Sequence, residues 1–257
     1  MLMMSKMHAL AIGGDADAGP YVANAVDFDG TNDYLLRGSD LTGTVDSSTG
    51  ILSAWLRFDG GNGTNLGALY NDTQNVRLVK NSSDKLRMVL GTSAGGTKQL
   101  IFETATAYTA GATWLHILAS WDTNFSAGNK IGQLYVNDAN DYSLVSDTAT
   151  AFNVDYTAAN WSVGARTVGD QTLNGCMADL YFAPNQYLDF SVEANRRKFI
   201  SASGKPVNLG SDGSLPTGSA PIVYLNNPAA SFGTNKGTGG DFTITGSLDT
   251  ASTSPSD

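Results

Sequence analysis

Apolar and polar positions alternate in short runs along almost the whole chain, and most runs are too short to build a helix. In residues 25–29, Val26 and Phe28 fall on one side while Asp27 and Asp29 fall on the other, as a half-buried strand requires. Residues 34–37, 50–58, 66–70, 76–80, 86–90 and 99–103 are further strands, each bounded by Asn, Gly, Ser or Asp. The run 113–122 is apolar on both faces. Leu115, Ile117, Ala119 and Trp121 occupy one face, with Trp114, His116 and Leu118 on the other, which predicts an interior strand covered on both sides. Strands at 133–138, 161–164 and 175–182 complete the series.

One helix interrupts this pattern. Ser191 stands where an N-cap belongs, Glu193 lies in the first turn, and Arg196 to Lys198 lie toward the other end, before Gly204 and Pro206. Residues 204–257 are rich in Gly, Pro, Ser and Thr yet contain two strand-like runs, 221–225 and 241–245. The expected organisation is an N-terminal arm (1–20), a sandwich domain (21–203) and an ordered extension (204–257) packing on or completing it. So many short strands separated by turn residues predict an all-β sandwich of two antiparallel sheets.

Composition narrows the function. Hydrophobic residues make up 41% of the 257, enough for a sizeable core. The net charge is −9, and Glu103 and Glu193 are the only glutamates. An acidic chain lacks the clustered cations that bind a phosphate backbone, so no nucleic-acid partner is expected. Arg196, Arg197 and Lys198 read as a solvated helix face. Cys176 is the sole cysteine, so no intrachain disulfide forms. No run approaches the roughly 20 apolar residues of a membrane-spanning helix, and no membrane insertion is expected. The opening residues are too broken in hydrophobicity for a secretory signal, so synthesis in a reducing cytoplasm is expected.

Four segments in order resemble the laminin-G-like, concanavalin A-like jelly rolls: 26–34 (VDFDGTNDY), 51–56 (ILSAWL), the pair 113–122 and 133–138 (TWLHILASWD and QLYVND), and 174–182 (NGCMADLYF). The resemblance implies a jelly-roll sandwich with sugar or partner binding, and no particular activity. Residues 204–214 and 231–242, with the closing STSPSD, resemble jelly-roll proteins of tailed-bacteriophage structural regions. That implies a virion component of head or tail, with other virion proteins and further copies of itself as partners.

Candidate chemistry is sparse. Glycosidases on such sandwiches resemble one another in a Glu-x-Asp-x-x-Glu strand motif, which sets two carboxylates about 5–5.5 Å apart. Glu103 is followed by Thr-Ala-Thr-Ala, so the chain is not expected to be an enzyme. His116 reads as a partnered structural histidine, and the glycine-rich 233–240 reads as a turn, since no Gly-Lys-Ser/Thr ending or helix follows. Asp27, Asp29, Asn32 and Asp33 offer hard oxygen ligands suited to calcium, although such residues also simply close turns. No cofactor is otherwise required. Tyr70, Tyr108, Tyr142 and Tyr156 lie near loops with Asn and Asp neighbours and are the candidate glycan contacts, whereas Trp55, Trp114, Trp121 and Trp161 read as packing residues. Taken with the resemblance, these features imply a non-enzymatic phage virion protein that touches host-surface glycans; a free lectin-like module is the alternative, and a glycoside hydrolase a more remote one.

Overall fold

The computed structural model describes residues 21–92, 98–126, 129–147 and 151–257. The arm 1–20 lies outside the described residues. In chain order the strands are β1 (Ala25–Asp29), β2 (Tyr34–Leu36), β3 (Thr49–Phe58), β4 (Leu66–Asn71), β5 (Val76–Lys80), β6 (Leu86–Gly91), β7 (Lys98–Thr104) and β8 (Leu115–Ser126). They continue with β9 (Asn129–Val136), β10 (Ala139–Asn140), β11 (Tyr142–Asp147), β12 (Trp161–Val163), β13 (Asn174–Pro184), β14 (Val223–Leu225), β15 (Thr243–Thr245) and β16 (Asp249–Thr250). A single helical turn, α1 (Glu193–Arg196), follows β13.

The strands form two antiparallel sheets. The first runs β10-β9-β8-β3-β13-β1-β16, and β14 continues the row of β1 along the far half of β13. The second runs β11-β7-β6-β5-β4-β12-β2-β15. The period of two in the sequence delivers one apolar face of each sheet to a shared core. Leu52, Leu56, Ile117, Trp121, Met177 and Phe182 from the first sheet meet Leu78, Met88, Leu90 and Phe102 from the second. In β13 a bulge at Asp179, with φ of +47°, shifts the ladder to β3 between Ala178 and Tyr181. The extra residue leaves both Met177 and Leu180 facing the core.

The outer face of the first sheet is also covered, as the apolar pattern of the 113–122 run predicts. Ile51, Leu118, Tyr135 and Tyr181 pack under Phe190, Phe199 and Leu209, and Trp55 and Ala178 pack with Ile200. The helical turn is shorter than expected and has no side-chain cap; Val192, not Ser191, occupies the cap position. Asp189 organises the approach instead, its Oδ1 accepting from Gln133 Nε2 (2.7 Å) and from the Ser191 amide (2.9 Å). Nor are Arg196 and Arg197 part of a solvated face, although Lys198 is exposed. Arg196 Nε and Arg197 Nη2 each reach Asp138 at 2.6 Å, and Arg196 lies 4.8 Å over the Tyr135 ring. These contacts clamp the turn onto the sheet.

Residues 204–257 are woven into the sandwich: β14 and β16 join the first sheet and β15 joins the second. The glycine-rich loop lies against β14 and the residues before it. Its amides at Lys236, Thr238 and Gly239 donate to the carbonyls of Tyr224, Pro221 and Ile222. Those donors are spent on the chain itself, so the loop is a turn and not a phosphate cradle.

Candidate functional site

Two cavities hold most of the predicted site residues. The first lies at the sandwich rim, has a volume of about 290 Å³, and is lined by Asp27, Asp29, Asn32, Asp33, Gly246, Ser247 and Asp249. All four residues singled out for calcium therefore share one cavity. Much of their oxygen capacity serves the backbone, however. Asp29 Oδ1 accepts the amides of Thr31 (2.7 Å), Asn32 (3.0 Å) and Asp33 (3.2 Å), and these bonds hold its carboxyl below the usual range. Asp33 accepts the Asp29 amide at 3.2 Å with one oxygen and the Ser247 amide at 2.8 Å with the other. The second contact needs Gly246, since a Cβ there would stand 2.1 Å from Asp33 Oδ1 and φ is +80°.

Asp249 joins this rim through pairing with β1, where it stands opposite Asp27. Two carboxylates opposite each other on neighbouring strands repel. Asp27 also accepts from Cys176 Sγ at 3.4 Å, and that sulfur lies 3.6 Å from Asp59. Among the described residues these three are the one set of acidic, thiol or imidazole ligand atoms mutually within 4.8 Å. They do not make a thiolate metal site. Burial and the charge of Asp27 push the thiol up, so it remains a donor, while Arg57 grips both oxygens of Asp59 at 2.8 Å.

The second cavity, about 130 Å³, opens on the outer face of the second sheet between Asn65, Tyr70, Arg77, Val79, Asn81, Arg87 and Gln171. Its construction follows from register. Val76 and Leu78 of β5 enter the core, so Arg77 and Val79 point outward. Arg87 stands opposite Val79 on β6, and Tyr70 stands opposite Arg77 on β4. The Tyr70 ring lies over Gly67, where a Cβ would come within 2.6 Å of it, and its hydroxyl donates to Gln171 Oε1 at 2.7 Å. Arg77 sits 5.9 Å above the same ring. Tyr70 is thus a wall of the cavity; its ring is too enclosed to stack on a sugar.

The other predicted tyrosines are not brought together with Tyr70 in this cavity. Tyr156 is fully buried, accepting from Trp121 Nε1 at 2.7 Å and donating to the Thr49 carbonyl at 2.8 Å. It is a core residue and not a ligand contact. Tyr142 packs against Phe102, and Tyr108 donates to Asp141 at 2.7 Å. Trp55, Trp121 and Trp161 are buried, while half-buried Trp114 donates to Thr253 at 3.1 Å. His116 is buried, bonded through Nε2 to Ser53 at 2.9 Å and stacked 4.7 Å from Trp55.

Among the described residues, no acid lines the second cavity. Nearby Glu103 is poorly suited to general-acid work. Burial alone would raise its carboxyl, but Arg87 and Lys85 outweigh burial and hold it below the usual range. Sequence reasoning missed Arg77, Arg87, Asn65, Asn81, Gln171 and Asp249. For the two arginines a signal exists: each occupies an outward position on one strand of a hairpin closed by the Asn81–Asp84 turn.

No protein-family model and no curated protein matches the chain. Among solved structures, a Bacteroides ovatus protein described as carbohydrate binding matches with a TM-score of 0.59 at 14% identity, over 91% of this chain. The fold is a jelly-roll sandwich. This chain spans 61% of that protein's length. Mouse laminin α1 domains LG4-5 match at TM-score 0.45 and 16% identity, covering 69% of this chain and 46% of theirs. A heptameric pentraxin from Limulus polyphemus matches at TM-score 0.44 and 13% identity, covering 67% and 81%.

Proposed function

We propose that this chain is a non-enzymatic glycan-binding jelly roll carried on the head or tail of a bacteriophage particle. The observation carrying the reading is the second cavity: a strand-built recess that presents guanidinium, amide and phenol groups, with no carboxylate among the described residues of its lining. Planar polar donors at fixed spacing suit sugar hydroxyls, and the absence of an acid pair in the recess leaves no glycosidase machinery there. The chain's own residues pack over much of the outer face of the first sheet, and the recess stands on the outer face of the second, which this reading takes as the binding face. The likeness in fold to a protein described as carbohydrate binding supports the same reading.

The virion setting rests on the resemblance carried by residues 204–257. Many copies on a particle would multiply weak single-site contacts with a host glycan. Calcium belongs to this proposal as a ligand of the acidic rim, where it would relieve the repulsion between Asp27 and Asp249. A glycan array probed with the purified chain, with and without chelator, tests the binding. Saturable recognition of a glycan is expected, and no binding to any glycan in either condition would sink it. Mass spectrometry of purified particles tests the setting, and absence of the chain from them would favour a free lectin-like module.

A further inference from the structure

Arg77 stands apart from the other cations near its cavity. Arg87 is committed to Glu103 Oε2 through Nε (2.9 Å) and Nη2 (2.6 Å), Lys85 reaches the same carboxylate at 3.3 Å, and Arg166 is paired with Asp170. Arg77 donates through Nη1 to the neutral Gln74 Oε1 at 2.9 Å, and no acid among the described residues pairs with it. Its Nε is buried without a hydrogen-bond partner. Burial, together with the nearby charges of Arg87 and Arg166, lowers its affinity for a proton. A guanidinium held half-buried among like charges is costly unless an anion joins it. The surrounding chain is otherwise acidic, with a net charge of −9, so this recess is a local inversion of sign.

We propose that the recess takes the anionic group of an acidic sugar, a carboxylate or sulfate on a saccharide ring, with Arg77 as its ionic partner. The inference rests on the glycan-binding reading and names the ligand class for that site. An anion entering between Tyr70, Arg77 and Arg87 meets a guanidinium that no acid among the described residues pairs with, and charge-assisted hydrogen bonds to it are stronger than those to a neutral hydroxyl. Asn65, Asn81 and Gln171, which line the same recess, supply the polar surround for the sugar ring. A carboxylate and a sulfate share this chemistry but differ in geometry, so both are needed as probes.

The test is calorimetric titration of the full chain with methyl glucuronide, a sulfated methyl hexoside and neutral methyl glucoside, repeated on Arg77→Gln and Arg77→Lys. At least one of the two acidic sugars is expected to bind about tenfold or more tighter than the neutral one, with affinity falling as salt rises. Arg77→Gln should remove that preference, and Arg77→Lys should retain part of it. Circular dichroism of both variants checks that the fold survives. Equal affinity for acidic and neutral sugars, or an unchanged preference in a folded Arg77→Gln, overturns the inference while glycan binding stands. Failure of all three sugars to bind overturns the inference, while the glycan reading itself stands or falls with the array.

Discussion

Asp179 and His116 are both buried in or under the first sheet, and they pull stability in opposite directions with pH. Burial raises the Asp179 carboxyl from 3.8 to about 7, against the lowering effect of the Tyr21 hydroxyl that donates to it at 2.7 Å. The folded state therefore keeps a proton that the unfolded chain releases near pH 4. The Asp179 contribution is most favourable below that and is lost as pH rises to about 7. Burial lowers His116 from 6.5 to about 3, so its contribution is fully present above 6.5 and is lost as pH falls toward 3. Asp179→Asn should thus raise Tm relative to the native chain at pH 8 by about 5 °C more than at pH 4. His116→Gln should flatten the acid limb; parallel melting curves for native chain and variants across pH would refute both assignments. At the rim, Asp249→Asn should raise Tm slightly in chelator by removing the repulsion with Asp27, and calcium should then stabilise the native chain more than the variant. Tyr156 shows what was legible at this scale: Val154, Tyr156 and Ala158 alternate into the core, a pattern outweighed by their loop-like neighbours. Asp249 was not legible, because only the pairing of β16 with β1 brings it to Asp27 across more than two hundred residues.

Among the elements, strands with one buried face announced themselves, and of the four edge strands only β15 did. Residues 142–147 form β11 at the margin of the second sheet, where Leu144 and Val145 are exposed and no core face imposes alternation. The two-residue strands β10 and β16 are too short to carry a period. The helical turn was legible as a break in the strand pattern, yet its anchoring was not, since Asp138 lies in a turn more than fifty residues before the arginines it holds. Asp138→Ala leaves both guanidiniums without their shared partner and should cost about 1–2 kcal/mol in urea denaturation. Glu193→Ala should cost clearly less, because that pair is largely exposed. Equal losses from the two variants would mean that the clamp onto the sheet contributes no more than an exposed ion pair.

At the scale of the molecule, the two sheets have unequal outer faces. The chain's own segments pack over much of that of the first, and a polar recess stands on that of the second. The sandwich itself was readable from the sequence because fold depends on burial, and burial writes a period of two. The recess was not, because it depends on which strands become neighbours: Tyr70, Arg77, Arg87 and Gln171 come from three strands and a loop. The most direct measurement is amide and side-chain chemical-shift mapping of the full chain with a saccharide selected from the glycan array. Perturbations centred on Tyr70, Arg77, Arg87 and Gln171 are predicted; saturable binding whose perturbations fall on the first sheet or the acidic rim, leaving these four unmoved, would contradict the assignment of the second sheet as the binding face.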